Sequence, residues 1–70
     1  MGSLYFEAQS DGSVHVLNLG DGRIEVVVRR DDSVTGSQDA VERLNRMNLV
    51  KKPLPQYVRE CATKFSGWEM

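Results

Sequence analysis

The run from Val14 to Arg29 constrains this chain more than any other stretch, because two alternating apolar segments meet at Gly20-Asp21-Gly22. Glycine and aspartate tolerate the positive φ that a tight hairpin turn demands, so the run reads as two antiparallel strands. On the first arm, Val14–Leu19, Val14 and Val16 share one face while Leu17 and Leu19 are offset to the other. On the second arm, Arg23–Arg30, Ile24, Val26 and Val28 form a β-branched stripe opposite Glu25, Val27 and Arg29. Upstream, Leu4–Ala8 alternates in the same way, with Leu4, Phe6 and Ala8 against Tyr5 and Glu7. Ser10-Asp11-Gly12-Ser13 then supplies another hairpin turn. The first half is therefore expected to be a three-stranded antiparallel meander with one apolar face.

The second half changes period. Residues 31–36 are polar and read as a break in the sheet. Either Thr35 with Gln38, or Ser37 with Asp39, can cap a helix on which Ala40, Val41, Leu44 and Met47 share a face. The stretch 48–55, with its two prolines, ends that helix. Tyr57–Phe65 is open to two readings. Tyr57, Val58, Cys61, Ala62 and Phe65 suit an amphipathic helix, whereas Tyr57, Arg59 and Cys61 also alternate as a strand would. The fold class is α+β: a single domain over residues 1–70, with an antiparallel three- to four-stranded sheet packed on one or two helices.

Size and charge narrow the function. A chain of 70 residues buries only roughly 60% of the surface it exposes when unfolded, so a partner chain is an expected source of stability. The one cysteine, Cys61, leaves no internal disulfide and points away from an oxidising compartment. With one histidine besides, no zinc-type ligand set and no cofactor are expected. Nine basic against ten acidic residues argue against a dedicated nucleic-acid binder. No apolar run is long enough to span a bilayer and no signal-peptide pattern opens the chain, so the expectation is a cytoplasmic protein with no membrane partner.

The stretch Val16-Leu17-Asn18-Leu19-Gly20-Asp21-Gly22-Arg23-Ile24-Glu25-Val26-Val27-Val28 resembles the second hairpin of the acylphosphatases. Ala40-Val41-Glu42-Arg43-Leu44 looks like the start of that family's second helix, Pro53 to Pro55 falls at its proline-bearing turn, and Phe65-Ser66-Gly67-Trp68-Glu69-Met70 is similar to its F-S-G-F-E-I ending. Acylphosphatases are small ferredoxin-like domains that hydrolyse acyl phosphates. A glycine-bearing loop ending in arginine cradles the phosphate, and a hairpin asparagine orients the attacking water. The resemblance implies a truncated ferredoxin-like fold, with Asn18 as the water-orienting residue. A strand at Tyr57–Phe65 beside Arg23–Arg30 would extend it in three dimensions, whereas a helix there would make the resemblance coincidental and the domain a three-stranded sheet with two helices. The chain departs from the family in lacking the arginine loop: Ser10–Ser13 is a turn carrying Asp11, unsuited to a dianion. The resemblance thus implies a domain deficient in catalysis.

Three function classes follow. The first is a module acting through association with itself or another protein, for which the aromatics near the two ends, Tyr5, Phe6, Phe65 and Trp68, are the expected contacts. The second is a weak acyl-phosphate hydrolase using Asn18. The third is a small sheet-based nucleic-acid binder using Arg23, Arg29, Arg30, Arg43, Arg46, Lys51 and Lys52. His15 is expected on the outer sheet face, Cys61 as a structural thiol, and Asp31-Asp32-Ser33 as a solvated loop, not a cation site.

Overall fold

The computed structural model describes residues 3–66, with side chains described through residue 62. Strands β1 (Leu4–Ala8), β2 (Val14–Asn18), β3 (Arg23–Val28) and β4 (Val34–Gly36) form one antiparallel sheet in sequential order, followed by helices α1 (Gln38–Met47) and α2 (Leu54–Ser66). The α+β architecture expected from the sequence is thus present, as a meander whose helices both follow the sheet. The sheet carries a fourth strand where a polar break was expected: Val34, Thr35 and Gly36 pair with Val28, Val27 and Val26. Pairing with β3 holds so polar a strand, even though only Val34 packs against the core.

The turn that leads into β4 explains why it forms, for it repeats the turn between β1 and β2. In the β1–β2 turn, Gln9 N–H donates to Ser13 O at 2.8 Å, Gly12 N–H to Gln9 O at 3.1 Å, and Gly12 has φ of 91°. The β3–β4 turn repeats this: Arg29 N–H to Ser33 O at 2.8 Å, Asp32 N–H to Arg29 O at 2.8 Å, with Asp32 at φ of 72°. Asp-Gly-Ser and Asp-Asp-Ser therefore build the same left-handed turn, since aspartate tolerates that backbone region nearly as glycine does.

The inner face of the sheet, with α1 and α2 against it, makes the core: Phe6, Val14, Val16, Val26, Val28, Ala40, Leu44, Val58 and Ala62. Ser37 caps α1, its hydroxyl accepting Ala40 N–H at 3.2 Å, which selects one of the two caps the sequence allowed. The stretch Tyr57–Phe65 belongs to a helix. Leu54, Tyr57, Val58, Cys61 and Ala62 all pack on the core from one helical face, whereas a strand would have set Tyr57 and Cys61 on the face opposite Val58 and Ala62.

Arg59, between two inward positions on α2, joins the helix to both left-handed turns. Its guanidinium donates to Gly12 O (2.9 Å), Arg29 O (2.7 Å), Arg30 O (3.3 Å) and Asp32 Oδ1 (3.1 Å). One planar fork thus ties α2 to carbonyl oxygens of both turns.

Candidate interaction surface

Both helices pack on one face of the sheet, so the outer face stays uncovered. Its composition depends on an irregularity. Val16 pairs with Val26, but the next residue, Leu17, pairs with Ile24, so Glu25 is an extra residue in β3. Such a bulge re-aims the side chains beyond it. The stripe Ile24–Val26–Val28 expected from alternation is accordingly split. Val26 and Val28 are buried, whereas Ile24 is 52% exposed on the opposite face. There Tyr5, Leu17 and Ile24 stand in register across β1, β2 and β3 as an apolar row. Gly36 on β4 makes the bulge possible: a Cβ there would lie 2.7 Å from Glu25 O and 3.1 Å from Val26 Cα.

The next row on the same face is Glu7, His15, Val27 and Thr35. Beyond it, between the two left-handed turns, lies an open depression of about 650 Å³ lined by Asp11, Ser13, His15, Val27, Arg29, Arg30 and Asp31. Its serine and its aspartates are engaged in hydrogen bonds of their own turns. Ser13 Oγ–H donates to Asp11 Oδ1 at 2.6 Å, and Ser13 N–H donates to the same oxygen at 2.9 Å. These bonds hold the Asp11 carboxyl below the usual carboxylate range, and the hydroxyl and N–H of Ser33 do the same for Asp31. A serine whose proton goes to a weakly basic carboxylate is not an activated nucleophile. The mixture of Asp11 and Asp31 with Arg29 and Arg30, beside Glu7 in the adjoining row, also differs from the basic stripe that a nucleic-acid interface requires.

Asn18, the residue that the acylphosphatase resemblance assigns to water, is occupied with the turn. Its Oδ1 accepts Gly20 N–H at 2.8 Å, and its Nδ2 donates to Glu25 Oε2 at 3.3 Å. Arg23 stands opposite it across the β2–β3 ladder. A carboxylate within hydrogen-bond reach of Asn18 opposes the approach of a phosphate dianion.

The aromatics expected at a partner surface separate. Tyr5 lies on the outer face, 36% exposed, but Phe6 points inward, is 3% exposed and belongs to the core, so it is not available to a partner. The reason is the alternation of β1: Phe6 pairs with the buried Val16, and Tyr5 with Leu17 on the other side. The side chain of Phe65, and Trp68 altogether, lie outside the described residues. His15 and Cys61 are divided by the sheet, His15 between the inward Val14 and Val16, and Cys61 on α2 against the core. Among the described residues no three His, Cys, Asp or Glu side chains come together to hold a metal, and no helix is long and apolar enough to cross a membrane.

Ile24 and Leu17 are site residues that alternation alone could not assemble, and Arg59 has no local sequence signal because its acceptors are 27 to 47 residues away. No family model, curated protein or solved structure matches this chain.

Proposed function

We propose that the chain is a non-enzymatic association domain. In this reading it carries an acylphosphatase-type hairpin without a phosphate cradle and pairs with a second copy of itself through the outer face of the sheet. The observation that carries this reading is the row Tyr5–Leu17–Ile24, brought to the uncovered face by the bulge at Glu25. A bulge that turns a β-branched residue out of the core costs apolar burial, and an interface gives that burial back. The face is also self-complementary in charge, with Glu7 on β1 and Arg29 just beyond β3, as a twofold contact between identical surfaces requires.

Sedimentation equilibrium at micromolar concentration tests it. A dimer is expected for the wild type and a monomer for Ile24→Lys, with the thermal midpoint of the variant read in parallel to show that it folds. A strict monomer for the wild type removes the proposal. Benzoyl phosphate hydrolysis tests the catalytic side: no turnover is expected, and Asn18→Ala should change nothing. Clear turnover lost in that variant would instead favour a hydrolase.

A further inference from the structure

A second exposed apolar element lies in the connection between the helices, remote in sequence from the sheet face. Leu49 is 84% exposed, Val50 69% and Met47 42%. Side chains at the tip of a loose loop would need no explanation, but this loop is tightly built. Asn48 is 2% exposed, and its carboxamide spans the loop: Nδ2 donates to Lys52 O at 2.6 Å, and Oδ1 accepts Lys52 N–H at 3.2 Å. Leu49 N–H donates to Met47 O, and Lys51 N–H to Asn48 O. Lys51 is held at φ of 59°, a left-handed conformation unfavourable to a lysine. A buried polar residue and a strained one thus cooperate to hold two aliphatic side chains in water, and strain of this kind collects where structure serves a contact.

Charge is segregated around the same element. Residues 43–52 carry four of the nine basic side chains, Arg43, Arg46, Lys51 and Lys52, and none of the ten acidic ones. Lys52 is engaged by Glu60 on α2. The remainder of the chain is correspondingly acidic.

From these observations we infer that the loop from Met47 to Lys52 docks the domain on an anionic lipid surface, with Leu49 and Val50 entering the acyl boundary and Arg46 and Lys51 meeting the headgroups. The tip offers aliphatic area flanked by positive charge, the pairing that holds a peripheral element on an anionic bilayer. This is contact at a surface, for which no spanning segment is required.

Flotation of the full chain with vesicles tests the inference. Vesicles of phosphatidylcholine alone are compared with vesicles containing about one-third phosphatidylserine, at low and at physiological ionic strength. The wild type should float with the anionic vesicles and less so as salt rises. The double variant Leu49→Ser, Val50→Ser should lose roughly tenfold or more in partitioning, while its far-ultraviolet dichroism and thermal midpoint stay those of the wild type. Equal partitioning of wild type and variant would reduce the effect to surface adsorption and overturn the insertion. Failure of the wild type to float would also overturn it, leaving the tip to an acidic protein. The oligomeric state measured for the sheet face is unaffected by either result.

Discussion

The two faces of the sheet are made from the same three long strands, yet they differ in what stabilises them. On the inner face Val14, Val16, Val26 and Val28 alternate without interruption and are each 3% exposed or less. On the outer face Tyr5, Leu17 and Ile24 align only because β3 carries an extra residue. The inner face holds the fold together; the outer one is arranged at some cost to it. Substitutions on the two faces should therefore separate stability from association.

The largest expected effect is on the inner side. Leu44→Ala removes a fully buried side chain facing the sheet and should lower unfolding free energy by about 3 kcal/mol in urea denaturation. Leu17→Ala, half-buried on the outer face, should cost about 0.5 kcal/mol at dilute concentration, where no partner covers it. Equal losses at the two positions would show that the faces are not energetically distinct.

A smaller effect is expected where the faces are coupled. Gly36→Ala sets a methyl group against Glu25 O and Val26 Cα, both main-chain atoms that cannot swing aside. It should cost about 1–3 kcal/mol and loosen β4, seen as faster amide exchange at Thr35 and Val27. If Gly36→Ala is neutral, the bulge does not depend on close approach by β4.

The same comparison shows what could be read from the chain and why. Regular alternation made the inner face legible at Val14, Val16, Val26 and Val28, because a period of two holds as long as register is unbroken. It misplaced Ile24, since a bulge shifts parity without any change in local composition. The strand Val34–Gly36 was hidden by polarity, although Asp31-Asp32-Ser33 repeats the turn chemistry of Asp11-Gly12-Ser13 and could have announced a hairpin. The helix at Leu54–Ser66 is undecidable locally because Tyr57, Arg59 and Cys61 alternate; the helix prevails because it alone brings Tyr57 and Cys61 to the same buried side as Val58 and Ala62. Aromatic character and a position near the chain's end suggest a partner surface for Phe6, whereas the direction of its side chain is fixed by Val16 across the ladder.

The smallest expected effect concerns the end of the sheet where the two left-handed turns flank the outer depression. Asp11 and Asp31 each hold a serine of their own turn, and those bonds lower both carboxyl pKa values from the ordinary 3.8. A carboxyl depressed in the folded state stabilises the fold above its unfolded pKa, and that contribution is lost as pH falls through the folded value. The thermal midpoint should hold steady down to about pH 5 and decline below about pH 4. Both carboxyls are fully exposed, so the decline should be shallow. Asparagine keeps an oxygen able to accept the serine N–H but does not titrate, so the double variant Asp11→Asn, Asp31→Asn should flatten the decline without disturbing the turns. An unchanged acid slope in that variant would remove the serine bonds as its origin and leave the turns held by Arg59, which binds the carbonyl oxygens of Gly12 and Arg29. The measurement therefore separates turns that stabilise themselves from turns held by the helix beneath them.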